Sequence, residues 1–506
     1  MESWCTMAKA FTDTQYKTIR AAFGAAAIMA AGLLHAAPAN AQKRPLAIRA
    51  GRILTVTKGS IDNGIILVQN GKIIALGSER DVVIPADADV LDARDQWAMP
   101  GQIDLHAHVG NDSGLHDYVH TLNPEFRVWD YVDPDDPLVR DDIASGVTTL
   151  LTIPGSGGNH SGFGVLWKLG GAPREDLYLR KLGVMKVAQA YNPERQAGDL
   201  GLSRMGMWWM LREMFSRAKA YEATAAVASN GEPVPANKLA ANGRPNVVLN
   251  TAPPSPRIIG LDNLRAVLEK KTPVLVHTAG ARDVMGTMRM FHDEMDVRLI
   301  ISHGEFGGFR AAEEAAKRNI PVNVGPRLYD FSFQTYDRKF YSIAQKYADA
   351  GVQTLSLNTD CPVIPAEDLF LQGTISVRMG MDEDLALRAV TYNPAVSIGI
   401  ADRVGSLEVG KDADIVLKHG SLFDVRNPIQ RVYINGKLVY QHGQKRRGVG
   451  AGPFASHDAV TDEDGEEEDG KVESGSVRRG FIVTDPVSGE TENQEQSGAE
   501  NRKGSE

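Results

Sequence analysis

The sequence predicts an α/β protein built on a (β/α)8 TIM barrel, with a small composite β-sandwich formed by its N- and C-terminal segments. Three observations carry this. Between about residues 98 and 400, short β-branched runs alternate with helical stretches, the repeat that builds a parallel sheet. The 506 residues accommodate a barrel of about 250 to 300 residues beside a second small domain. Strand-rich segments flank that middle on both sides, which suggests one sheet domain assembled from both ends; two unrelated small sheets, and an open doubly wound sheet in the middle, are the competing arrangements.

At the N-terminus, Lys17 and Arg20 precede the apolar run Ala21–Leu34, and Ala39-Asn40-Ala41 offers the small residues a signal peptidase reads. Residues 1–41 are therefore expected to be a cleaved secretory signal, with Gln42 opening a periplasmic or secreted mature chain. The run falls short of the roughly 20 residues of a spanning helix, and no later segment is long and apolar enough, so the mature chain is expected to cross no membrane. Cys5 leaves with the signal, so Cys361 stands alone and no internal disulfide is available.

Residues 42–97 read as the first part of the sandwich, with Asn70-Gly71 as a hairpin turn between two strands. Residues 98–400 hold the barrel. Its strands are expected at Val147–Ile153, Gly183–Ala188, Val247–Leu249, Val274–His277, Leu299–His303, Pro321–Val324 and Thr354–Asn358, with helices such as Leu261–Lys270 and Arg310–Arg318 between them. Residues 401–447 return to the sandwich with a second Asn-Gly turn inside Arg431–Tyr440. Residues 448–506 form an acidic tail too poor in apolar groups to order itself. Residues 457–506 carry 15 acidic and 5 basic side chains, −10 of the total −9, which leaves the body at +1. Nothing basic enough to serve as a nucleic-acid surface remains.

The chemistry lies at strand ends. His106 and His108 are spaced i, i+2 at the close of an apolar run, which in a strand turns both imidazoles to one side. A lone His-x-His is weak, but His277 closes Pro-Val-Leu-Val-His, His303 closes Leu-Ile-Ile-Ser-His, and Asp360 follows Leu-Ser-Leu-Asn-Thr. All lie where barrels assemble active sites.

Together with Met-Pro-Gly-Gln-Ile-Asp-Leu-His-Ala-His (99–108), Ser-Gly-Val-Thr-Thr (145–149), Ser-Arg-Met-Gly-Met (203–207), Asn-Thr-Asp (358–360), Thr-Tyr-Asn-Pro-Ala (391–395) and the run 405–416, these residues resemble the metal-dependent amidohydrolase superfamily. The imidazolonepropionase-like branch with exported members is the nearest pattern, over about residues 46–440. The resemblance implies a divalent metal, zinc first, one or two per chain, on His106, His108, His277, His303 and Asp360. It implies that Asp360 moves protons between the attacking water and the leaving nitrogen, with His303 also in the catalytic group. Lys186 falls where several relatives carry a carboxylated lysine bridging two metals; a lysine snorkelling from a strand end is the other reading.

Relatives often show Gly-Glu-Asn-Pro where this chain has Ala190-Tyr191-Asn192-Pro193, and a histidine where Ala279 stands. Tyr191 in place of the glutamate argues for a single-metal site. The stretch Gly155–Gly164 is read as a glycine-rich loop whose His160 touches substrate or simply belongs to the loop. Arg327 pairs with a substrate carboxylate or makes a structural ion pair. His116 and His120, spaced i, i+4, lack a carboxylate orienter; Cys361 reads as a small strand-end residue more readily than as a thiolate ligand; and Trp208-Trp209 with Met205, Met207 and Met210 reads as helix packing. The reading is a hydrolase of an amide, cyclic amide or short peptide bond in a small-molecule substrate, with homo-oligomerisation open. Its rivals are a non-catalytic binding protein on the same fold and an ester hydrolase.

Overall fold

The computed structural model describes residues 44–110, 117, 120–189, 192–193, 203–229, 258–331 and 340–443. The expected signal, the acidic tail, the strand Val247–Leu249, and His116 and Tyr191 lie outside these residues. Among those described, no helix is long and apolar enough to cross a membrane.

Four strands come first among the described residues, β1 (Leu46–Leu54), β2 (Ser60–Gln69), β3 (Lys72–Ser78) and β4 (Asp89–Pro100). A second sheet follows, made of β5 (Gln102–Ala107), β6 (Val147–Thr152), β7 (His160–Lys168), β8 (Tyr178–Ala188), β9 (Val274–Ala279), β10 (Leu299–Glu305) and β11 (Val322–Val324). A hairpin of β12 (Tyr329–Phe331) and β13 (Phe340–Ser342) precedes its last strand, β14 (Leu355–Leu357). The chain then returns with β15 (Ile415–Lys418), β16 (Ile429–Ile434) and β17 (Lys437–Gln441).

Both ends build one seven-stranded sheet in the order β17-β16-β15-β4-β1-β2-β3, joined where β4 pairs with β15. Strand β2 alternates: Ile66 and Val68 enter one apolar cluster, Ile65 and Leu67 another. The first cluster also holds Ile415, Leu417 and Tyr433 from the far half of the sheet, so the sheet folds over on itself. Both Asn-Gly turns have two successive left-handed residues (Asn70 φ 52°, Gly71 φ 78°; Asn435 φ 49°, Gly436 φ 69°), the geometry that matches strand twist in a two-residue hairpin.

The eight strands β5 to β11 and β14 lie side by side in a (β/α)8 barrel. Strands β5, β6 and β7 are buried along their whole length on both faces, as strands covered on both sides must be. The ladder does not run continuously from β14 back to β5. Closure is made instead by the Asp360 N–H donating to the His106 carbonyl and the His108 N–H donating to the Cys361 carbonyl, each at 2.9 Å. Asp104 adds a side-chain stitch, accepting from the N–H (3.0 Å) and Oγ1 (2.7 Å) of Thr359.

The stretch 155–164 departs from its expected loop form. From His160 onward it is strand β7, antiparallel to both β6 and β8, so one barrel strand runs against the others. The glycines serve packing here: a side chain at Gly164 would meet Ile153 Cγ2 at 2.6 Å. At the end of β7, buried Lys168 donates to Asp412 (2.6 Å), Asp414 (3.0 Å) and Asn435 (2.6 Å), which pins the barrel to the seven-stranded sheet.

Candidate metal centre

Alternation along the strands sets the inside of the barrel. Val184 and Leu275 belong to an apolar layer with Ile103, Leu105, Leu151, Ile153, Leu166 and Ile300. Lys186 and His277 stand two residues further along the same strands and therefore point to the same side, one layer nearer the C-terminal ends.

In that layer six of the expected residues converge. His106 Nε2 lies 3.1 Å and His108 Nε2 3.3 Å from Asp360 Oδ1. Lys186 Nζ is 2.9 Å from His106 Nε2. The His303 ring centroid sits 4.4 Å from that of His106 and 4.3 Å from that of His277. Ligand atoms of His106, His303 and Asp360 lie within 4.8 Å of one another. Two of these residues hold left-handed backbone, His303 at φ 70° and Asp360 at φ 48°, conformations that non-glycine residues keep where the surroundings over-determine them.

The other ring nitrogens are all engaged. His108 Nδ1 donates to the Ile153 carbonyl at 2.8 Å, and His303 Nδ1 donates to the Gly325 carbonyl. His106 Nδ1 pairs with Ser302 Oγ at 2.6 Å, and His277 Nδ1 with Ser156 Oγ at 3.2 Å. A carbonyl can only accept, so His108 and His303 carry the proton on Nδ1 and, when neutral, offer a bare Nε2 lone pair.

Burial holds the His106 and His277 imidazoles well below their usual pKa, with Lys186 adding to the effect on His106 and His303 to that on His277. Burial also lowers His303, and it brings Lys186 down to about 7. Burial alone would raise Asp360, but His106, His108 and His303 outweigh it and keep the carboxyl ionised, well below its ordinary range. Imidazole nitrogens and a carboxylate thus crowd together at 3.1 and 3.3 Å in a buried pocket. Acceptor atoms gathered this closely out of water form a seat that a cation would satisfy. His303 Nε2, buried with no hydrogen-bond partner, is such an acceptor as well. The donor set of imidazole nitrogens and one carboxylate suits a divalent first-row metal.

The remaining candidates fall elsewhere. His160 is buried in β7, its ring against Phe163, with Nδ1 donating to the Lys186 carbonyl at 2.8 Å. Among the described residues its hydrogen bond toward the cluster runs to the backbone of Lys186, because pairing in β7 has taken it out of the expected loop. Arg327 is exposed, its guanidinium 4.7 Å over the Phe306 ring. Burial pushes the Cys361 thiol up, and the residue packs in the hydrophobic core as a small strand-end side chain. His120 is exposed. Met207 is buried and Trp208 packs on the core, whereas Met205 and Trp209 are exposed, so only part of that stretch is helix packing. Three positioning groups escaped the sequence reading: Ser302, Ser156 and Asp104, which also accepts the His106 N–H at 2.8 Å and which burial raises to about 7. Their only signal is adjacency, Ser302 preceding His303 and Asp104 lying two residues before His106.

A barrel with this cluster at its strand ends suits hydrolytic chemistry, and its relatives make the chain a hydrolase acting on carbon–nitrogen bonds. The chain belongs to the amidohydrolase family, whose model matches residues 97–439. It is 26% identical over 456 residues to an imidazolonepropionase from Geobacillus sp. (strain WCH70), covering 79% of this chain and 99% of that one. It is 24% identical over 421 residues to the amidohydrolase tasK of Hapsidospora irregularis, covering 74% of this chain but 40% of that longer protein. Among solved structures it is similar to an amidohydrolase from Thermotoga maritima MSB8, with TM-score 0.67 and 27% identity over 78% of this chain and all of the other.

Proposed function

We propose that this chain hydrolyses an amide, cyclic amide or short peptide bond, with His106, His108, His277, His303 and Asp360 holding one or two divalent cations, zinc first among them. The observation that carries the reading is the buried convergence of His106, His108 and His303 on the Asp360 carboxylate. A divalent cation there supplies Lewis acidity, lowering the pKa of water and polarising a carbonyl. Asp360, held ionised, accepts a proton from the attacking water and delivers it to the departing nitrogen. His303, its ring fixed by the Gly325 carbonyl, has Nε2 turned to the cation, and it joins the catalytic group as a ligand. Lys186 is the group in the cluster that carboxylation would turn from a donor into a second anionic ligand. Arg327 and Tyr191 are the proposed substrate contacts, and His160 acts through the Lys186 carbonyl. Export to the periplasm or medium, on the strength of residues 1–41, completes the reading.

Elemental mass spectrometry of the purified chain is expected to find one or two metal ions that vanish in the His106→Ala/His108→Ala variant. Asp360→Asn is expected to lower turnover by about 10²- to 10⁴-fold while retaining metal. A wild-type chain that stays metal-free after incubation with zinc or manganese, or an Asp360→Asn variant with near-normal turnover, removes the proposal.

A further inference from the structure

Asparagine followed by glycine carries a chemistry of its own, because the side-chain amide lies one ring closure away from a backbone nitrogen that no neighbouring side chain shields. The chain has such pairs at residues 63–64, 70–71, 230–231, 242–243 and 435–436, of which the third and fourth lie outside the described residues. Whether the reaction proceeds depends on how firmly the fold holds the nitrogen and the amide.

Two of the three described pairs are held. Gly64 is buried inside β2, in register with Ala50 of β1 and Ser78 of β3, and a side chain there would collide with Ile53. The Gly436 N–H donates to the Ala413 carbonyl at 2.9 Å, while Asn435 Oδ1 accepts from Lys168 Nζ at 2.6 Å and the Asn435 N–H donates to Asp414 Oδ1 at 2.9 Å. Asn70-Gly71 differs on each count. Asn70 is exposed at the tip of the β2–β3 hairpin, and β3 is an edge strand of its sheet. Among the described residues, neither the Asn70 carboxamide nor the Gly71 N–H makes a hydrogen bond.

From this contrast we infer that Asn70-Gly71 is a self-modification site, at which the native protein converts asparagine to aspartate and isoaspartate. The Gly71 nitrogen gives its proton to hydroxide and attacks Asn70 Cγ; the Cγ–Nδ2 bond breaks, ammonia leaves, and a five-membered cyclic imide closes. Water then opens the imide at either carbonyl, so the net change is one water consumed and one ammonia released. One opening leaves an ordinary backbone with a carboxylate side chain. The other routes the chain through Cγ and lengthens it by one carbon. That second product disturbs more than the turn. The Gly71 carbonyl accepts the Ala413 N–H at 2.9 Å, and Lys72 Nζ meets Asp412 at 2.5 Å, so the hairpin tip joins the N-terminal strands to the returning chain. A two-residue hairpin loop has no room for an extra main-chain carbon unless these partners shift.

The test holds the purified full chain at mildly alkaline pH, native or in denaturing urea. Peptide fragmentation in the mass spectrometer follows amide-to-acid conversion at Asn63, Asn70 and Asn435, and labelling by an isoaspartyl methyltransferase reports the rearranged product. In the native chain Asn70 is expected to convert at least tenfold faster than the other two; in urea the three are expected to agree within threefold. Asn70→Gly, which keeps the left-handed turn, is expected to lose the label at that site and to escape the fall in melting temperature that incubation produces in the wild type. A native Asn70 that survives while urea converts it, or Asn63 or Asn435 keeping pace with it in the native chain, overturns the assignment. A wild type that converts at Asn70 and melts as before overturns the link to the turn's partners.

Discussion

Removing one hydroxyl, Ser302→Ala, probes whether the orientation of His106 matters to metal affinity. Ser302 is fully buried, and its Oγ is 2.6 Å from His106 Nδ1, a short contact that fixes the ring with Nε2 toward Asp360. Without it Nδ1 loses its partner at a site with no access to bulk water. Leaving a buried polar group unsatisfied costs about 1–3 kcal/mol, and loss of the group orienting a ligating histidine lowers metal affinity by about 10- to 100-fold. The two estimates agree, since a hundredfold is about 2.7 kcal/mol. Zinc affinity measured by competition with a chromophoric chelator should therefore fall by at least tenfold in Ser302→Ala, while circular dichroism stays native. An affinity within threefold of wild type would refute the reasoning, because His106 would then be positioned by something other than this contact.

Lys168→Met tests the joint between barrel and sheet. Breaking a buried ion pair from one side costs about 3–5 kcal/mol, and the lower end is expected because Asp412 keeps Lys72 and Arg403; urea melts that shift by less than about 1 kcal/mol would count against it. The same pair carries a pH dependence. Burial would raise Asp412, but Lys168, Lys72 and Arg403 outweigh it and hold the carboxyl below its ordinary 3.8. The stability it contributes is thus complete above that value and lost as pH falls through the depressed one, so the wild-type advantage over Lys168→Met should shrink in melts at pH 3 and below. At the N-terminus, sequencing of exported protein should begin at Gln42; an intact Met1 or Met7 would remove the cleavage expectation.

The parts of this molecule that the sequence made legible are those set by local periodicity. His277 and His303 end apolar runs, and strands buried on both faces have no other way to be written. Asn70-Gly71 and Asn435-Gly436 announce their hairpins because few residue pairs accept two left-handed conformations. Strand β7 was illegible for the opposite reason: its Gly162 and Gly164 have poor strand propensity and are held there by β6 and β8, so only tertiary pairing makes them a strand. The partners of the site histidines were hidden in the same way. Ser156 lies 121 residues from His277, and Ser302 lies 196 from His106, distances over which no pattern in one sequence speaks.

The cluster also lies on the barrel's seam. The His106 carbonyl accepts the Asp360 N–H, and the His108 N–H reaches the Cys361 carbonyl, so the backbone bonds that close the barrel are made by candidate ligands or their neighbours. Asp104 stitches the same seam from the side, holding the His106 N–H and both donors of Thr359. A residue in left-handed backbone costs about 1–3 kcal/mol, and Asp360 at φ 48° is held there by that seam on one side and by two imidazoles on the other. Closure and ligand placement are therefore one structural event. Any change that opens the seam should release Asp360 from the histidines before the rest of the barrel yields.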